Sequence, residues 1–247
     1  GLRMGDVDAV TYAWAKGFDG TWLTQYAERA MVAAQREEGA FELVRDRIHV
    51  ELDQDRANIE ELEKFGREGN WSDKIVYIDH HQAHAASAYY TSPFAEALVI
   101  TGDGRGDFRS ATVSLGRGDR LEEVEWLPTL DSLGYFYGAI TNFLGFTPHR
   151  HEGKVTGLAA YGDPQKCLHI MREMVELQDG RIVTKIGKYY KPFFSVAPEL
   201  AQALAGYRKE DVAAACQYQF EHVVTGFIRR LVQQYGMRNI CLAGGVY

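Results

Sequence analysis

Three of the chain's eight histidines fall within five residues: His80, His81 and His84. On a helix, positions four apart share a face, so His80 and His84 can aim both imidazoles at one metal ion. A third ligand is on offer in Asp103, which ends an apolar run at Thr101-Gly-Asp-Gly-Arg-Gly-Asp107. The glycines on both sides of it, Gly102 and Gly104, let a ligand or phosphate approach the backbone closely. Two imidazoles and one carboxylate suit Fe(II), Mn(II) or Zn(II), with geometry rather than affinity the selector. His81 follows His80 where a zinc protease of the HExxH type needs a glutamate, so that chemistry is excluded. Two plainer readings stay open. The histidines can serve as hydrogen-bonding residues at a helix start, and the Asp-Gly pair can be an ordinary hairpin turn.

A second constellation is His151-Glu152-Gly153-Lys154, which leads into the small residues Val155 to Ala160 around Gly157. Backbone N–H groups at such a helix start, with the Lys154 ammonium, suit a phosphate or carboxylate. It is no P-loop, because Pro148 and Val155 stand where that motif needs Gly and Ser or Thr. Gly244-Gly245 follows a strand-like run and reads as a site entrance or a turn. Lys185, Lys188 and Lys191 interleave with Tyr189, Tyr190, Phe193 and Phe194. That pattern can bind single-stranded nucleic acid, but a solvated loop over packed aromatics is the preferred reading.

These groups need elements to hold them. Asp8 to Ala15 is an apolar run of strand length, followed by helical patterns over Thr21 to Arg47 and Val50 to Phe65. Both helices read as partly solvated surface helices without chemistry. Lys74 to Asp79 predicts a buried strand and His80 to Tyr90 a small-residue helix. Glu96–Thr101, Ser110–Leu115 and Leu121–Leu127 predict an antiparallel meander with turns at Gly102–Gly106 and Gly116–Gly118. Helices are expected around Tyr135–Phe146, Glu152–Tyr161 and Pro164–Leu177, then a hairpin turn at Gln178-Asp-Gly180. From Asp211 to Tyr235, Val212, Cys216, Phe220, Val223, Phe227 and Leu231 mark one face of a helix. Asn239 to Ala243 reads as a strand. The class is α/β with a mixed sheet.

At 247 residues the chain can bury a sizeable core, and 46% hydrophobic against 25% charged residues excludes wholesale disorder. With 27 basic and 34 acidic residues the net charge is −7, which argues against a nucleic-acid partner. Three separated cysteines make no disulfide framework or zinc pair. No run is apolar enough for a membrane span. The expectation is a cytoplasmic protein with no membrane partner.

Three blocks together resemble one family. They are Asp79-His-His-Gln-Ala-His-Ala-Ala-Ser-Ala-Tyr-Tyr90, Thr101 to Asp107, and Ser132-Leu-Gly-Tyr-Phe-Tyr137 running on to Glu152-Gly-Lys-Val-Thr-Gly-Leu-Ala-Ala-Tyr-Gly162. They look like the nodulation-type and antibiotic-tailoring O-carbamoyltransferases (NodU/CmcH type), and Leu242-Ala-Gly-Gly-Val246 looks like that family's later glycine motif. The resemblance implies an actin/hexokinase-like ATPase (ribonuclease-H-like) architecture related to the tRNA threonylcarbamoyl-transfer protein. It implies a metal on His80 and His84, with Asp103 matching the family's Asp-Gly aspartate. It also implies a two-stage reaction. A separate C-terminal domain makes carbamoyl adenylate from carbamoyl phosphate and ATP, and the actin-like domain passes the carbamoyl group to a hydroxyl of a sugar or antibiotic. His81, His149 and His151 are the candidate general bases. Gly104, Gly106, Glu152, Gly153, Lys154, Gly157, Gly244 and Gly245 are the candidate residues around the adenylate. The family's Gly-His-Asp strand, a later aspartate ligand and the adenylating domain have no counterpart here. Residues 1–247 are therefore expected to be a partial transfer domain that does not complete transfer alone, with homo-oligomerisation left open. The alternatives are threonylcarbamoyl transfer to tRNA and a non-catalytic, nucleotide-binding module of actin-like fold.

Overall fold

The computed structural model describes residues 3–17, 20–34, 39–191 and 195–247. The described elements, in chain order, begin with β1 (Val10–Tyr12), α1 (Gly20–Ala34), α2 (Ala40–Glu68), β2 (Ile75–Tyr77) and α3 (His80–Tyr89). A hairpin meander follows, β3 (Glu96–Gly106), β4 (Arg109–Arg117) and β5 (Arg120–Pro128), then α4 (Leu133–Phe143), α5 (Glu152–Ala159) and α6 (Leu168–Arg172). The chain continues with β6 (Val175–Gln178), β7 (Arg181–Thr184), α7 (Pro198–Leu204), α8 (Lys209–Tyr235) and β8 (Ile240–Ala243).

The principal sheet has the order β5-β4-β3-β8. β3–β4 and β4–β5 are antiparallel, whereas β3–β8 is parallel, so the sheet is mixed as expected. Alternate residues of β3 leave by opposite faces. Leu98 and Ile100 join the main core with α4 and α8, while Ala97 and Val99 pack with Ala85 and Tyr89 of α3. The parallel pairing of Thr101 with Ala243 brings Gly244-Gly245 beside Gly102-Asp103. Gly244 adopts φ +99°, and a Cβ there would collide with the Gly102 carbonyl. Only glycine allows that approach.

Several expectations shift. α2 runs unbroken through Arg47–Val50, because the strong breaker is Gly39, which precedes it in a left-handed conformation at φ 76°. Residues 35–38 lie outside the described residues. β2 is not buried: Val76 is 46% exposed, since among the described residues this strand pairs only with β1. The expected turn at Gly102–Gly106 is instead the end of β3. Gly106 pairs with Arg109, and the reversal is the two-residue turn Asp107-Phe108, with φ of 50° and 62°. The single helix expected over Pro164–Leu177 splits. After α6 the chain turns into β6, whose Val175 and Leu177 pair across the expected Asp179-Gly180 turn with Thr184 and Ile182. β7 and α7 were not anticipated. Tyr190 is fully buried and Lys185 and Lys188 pair with Glu176 and Glu173, as a loop over packed aromatics requires. Phe193 and Phe194 lie outside the described residues.

Candidate metal centre

α3 starts where β2 ends, and the Asp79 carboxylate caps it by accepting the Gln82 N–H at 2.8 Å. The i,i+4 spacing then puts His80 and His84 on one face, opposite the end of β3. Asp103 stands there, its Oδ2 lying 3.2 Å from His80 Nε2 and 2.9 Å from His84 Nε2. One ligand atom from each residue falls within a 4.8 Å span. Separations near 3 Å match the ~3 Å edge between neighbouring ligands whose bonds to a metal are about 2.1 Å.

The surroundings orient these atoms. His80 Nδ1 lies 3.1 Å from the Ala13 carbonyl, which only accepts, so Nδ1 carries a hydrogen. In the neutral imidazole Nε2 then directs a lone pair at the Asp103 carboxylate. Two acceptors facing one another call for a proton or a metal ion between them. Burial opposes the His80 charge, but the bonds to Asp103 and Ala13 and the charges of Asp103 and Asp107 outweigh it and raise its pKa above the ordinary histidine value. Burial likewise works against ionised Asp103, yet the His80 bond and the Gly245 amide hold its pKa below the usual carboxylate value. Gly245 N–H donates to Asp103 Oδ1 at 3.2 Å, leaving Oδ2 to face the imidazoles.

Several supporting residues went unseen in the sequence. Asp107 accepts the His80 N–H at 2.7 Å and the Ala15 N–H at 3.0 Å, tying α3 to the segment after β1. Burial, with Asp79 nearby, pushes its pKa up to about 6. Ser132 caps α4 and donates to the Asp103 carbonyl at 3.1 Å. A Cβ on Gly134 would lie 2.9 Å from the Gly104 backbone, so α4 closes onto this loop only because residue 134 is glycine. The second aspartate of Gly-Asp-Gly-Arg-Gly-Asp107 was the one available signal.

The remaining candidates separate. His81 is fully buried, with Nδ1 2.7 Å from Thr101 Oγ1 and Nε2 3.1 Å from the Arg109 carbonyl, so its ring is closed to a substrate. His151 Nδ1 accepts the Thr147 N–H at 3.1 Å, which leaves Nε2 as a donor in the neutral ring. Gly106 packs against His80, since a Cβ there would strike the His80 ring. The His149 ring lies across Gly104, 3.8 Å from the point a Cβ there would occupy. Glu152 and Gly245 line a cavity of about 260 Å³ with Gly134, Tyr137, Thr156 and Gln217. Gly153 and Gly157 face open space, and the exposed Lys154 places its ammonium 5.9 Å from the centre of the Phe146 ring. A larger cavity of about 610 Å³ lies between α1, β5, β7 and α8, but shares no residue with the histidine–aspartate cluster. Ligand chemistry, not size, selects the site.

A mixed α/β domain with two imidazoles and a carboxylate converging at a strand end is the class that fold and site define. The whole chain, residues 1–247, matches the family model described as Carbamoyltransferase N-terminus. It is 29% identical over 257 aligned residues to nodulation protein NolNO of Sinorhizobium fredii, covering 100% of this chain and 34% of that protein. It is 34% identical over 177 residues to nodulation protein NolO of Bradyrhizobium diazoefficiens, covering 68% and 31%. An uncharacterised protein of Synechocystis, sll1178, is 32% identical over 185 residues, covering 70% and 30%. The chain belongs to the carbamoyltransferase family and corresponds to its N-terminal part. It spans about a third of the length of these relatives. Among the described residues no helix is long and apolar enough to cross a membrane.

Proposed function

We propose that this chain is the transfer domain of an O-carbamoyltransferase, of actin-like ATPase architecture and acting in the cytoplasm. The donor is carbamoyl adenylate, made from carbamoyl phosphate and ATP by a separate adenylating domain. The acceptor is a hydroxyl of a sugar or antibiotic-like small molecule. The supporting observation is the convergence of His80, His84 and Asp103 on one point in a chain of this family. These three residues would hold a divalent metal, Fe(II) first and Mn(II) or Zn(II) as alternatives. When bound, the metal supplies Lewis-acid polarisation of the carbamoyl oxygen.

The chain's own groups do the rest. In the transfer, the acceptor oxygen bonds to the carbamoyl carbon, the bond from that carbon to the phosphate oxygen breaks, and AMP leaves while the hydroxyl proton passes to a base. The cavity walled by Tyr137, Thr156 and Gln217 lies beside Asp103 through Gly245 and is the proposed place for a substrate. Tyr137 Oη is held 2.8 Å from Gln217 Oε1 and 2.9 Å from Thr156 Oγ1, a fixed polar wall. His81 is assigned a structural role and His151 a donor role at Nε2. Neither is assigned the base.

The test supplies an adenylating domain in trans with labelled carbamoyl phosphate, ATP and a panel of hydroxylated small molecules. Label is expected in a carbamate ester with release of AMP, and His84→Ala, which removes a proposed ligand outright, should lower the yield by more than the ~10- to 100-fold that loss of a ligand's hydrogen-bond partner costs. Label appearing on tRNA instead, or transfer indifferent to His80→Ala and His84→Ala, sinks the proposal.

A further inference from the structure

The segment that follows Asp103 is gripped by α2. Asp55 of α2 forms an ion pair with Arg105, both side chains mostly buried. The Arg105 guanidinium stands 5.3 Å from the centre of the Trp14 ring. Trp14 in turn meets the His80 imidazole edge-on, with ring centroids 4.7 Å apart. Two turns earlier, Arg47 donates to Tyr135 Oη at 2.7 Å. The Tyr135 ring lies 3.5 Å from the point a Cβ on Gly104 would occupy. Two residues of α2 therefore reach the surroundings of Asp103: Asp55 through Arg105 and Trp14, and Arg47 through Tyr135 and Gly104.

We infer that Asp55 is a positioning residue of the metal centre, acting through Arg105 and Trp14 on the ring of His80. The inference rests on the proposed reading of His80, His84 and Asp103 as metal ligands. The physical ground is that a ligand imidazole binds well only when its plane is held, and here an aromatic edge and a buried ion pair hold it. An arginine suits this position because its planar fork can pair with a carboxylate and stack on an indole together.

The test is a titration of the chain with Co(II), read by visible absorption and tryptophan fluorescence, beside thermal melting. Wild type is expected to take up Co(II) and lose the emission component that Trp14→Phe removes. Asp55→Asn should bind at least about tenfold more weakly, with Asp55→Glu recovering part of the loss. Leu204→Ala, in the core away from the site, should melt earlier yet keep its Co(II) affinity. If Asp55→Asn does not fold, Arg105→Lys carries the same expectation, because it keeps the charge and loses the fork. Wild-type affinity in a folded Asp55→Asn or Arg105→Lys, with binding abolished in His84→Ala, overturns the inference and leaves the metal reading standing. Equal weakening in Leu204→Ala also overturns it. Absence of Co(II) binding in wild type overturns the metal reading and the inference together.

Discussion

The two longest described helices, α2 and α8, bury opposite kinds of stripe. α8 buries Val212, Cys216, Val223, Phe227 and Leu231 in the main core. α2 buries Arg47, Glu51 and Asp55, three charged residues at a spacing of four. Burial of apolar groups is favourable wherever it happens, at roughly 25 cal/mol per Å². Burial of charges is costly unless each is paired, and a well-packed apolar replacement is often as stable. The apolar stripe of α8 is therefore explained by the core, whereas the charged stripe of α2 calls for another reason. That reason lies in what its charges reach: Tyr135, Thr129 and Arg105, which brace the loop holding Asp103.

The largest expected effect breaks the α2 stripe. Glu51→Ala leaves Arg47 buried beside Tyr135 without its carboxylate partner, and should cost about 3–5 kcal/mol in chemical denaturation. Glu51 is fully buried, and burial pushes its pKa up against the pull of Arg47 and Thr129. The double variant Arg47→Met/Glu51→Leu should recover most of the stability while remaining weaker for metal. Recovery of both would mean the charges serve only the fold. On the other helix, Leu231→Ala should cost about 2–5 kcal/mol by cavity formation. Metal uptake by the folded protein should be untouched. A matching loss of metal affinity would erase the distinction between the two stripes.

Legibility in the sequence follows the same division. A period of 3.6 in apolar residues is visible without knowing their partners, so α8 and its buried face were read almost residue by residue. His80 and His84 were legible for a similar reason, since i,i+4 is a local rule. Asp103 was legible as a carboxylate at a strand end. The buried face of α2 was not, because Arg47, Glu51 and Asp55 look like a solvated face until Tyr135 and Arg105, 88 and 50 residues away, are known to meet them. The roles of Gly106 and Gly134 were hidden likewise, because each glycine answers to a ring or backbone brought in from another element. Val175 and Leu177 fit a helical pattern as well as a strand, and the hairpin partner decided it.

The smallest expected effect concerns His81, a polar group buried on the site's side of the sheet. Burial, with the His80 charge adding to it and the Arg109 carbonyl opposing, pushes its pKa down to about 4. In the unfolded chain an ordinary histidine titrates near 6.5, so between those values the unfolded state holds the extra proton. The neutral ring's contribution is thus complete above pH ~6.5 and is lost as the pH falls toward about 4. At pH 5.5 the loss amounts to roughly 1.4 kcal/mol. Denaturation of wild type and His81→Phe across this range should show the difference between them flat above neutrality and shrinking below it. Leu231→Ala should keep a constant offset from wild type throughout, because no proton is exchanged at its core position. A pH-independent difference for His81→Phe would mean that its ring is not held neutral between Thr101 and Arg109.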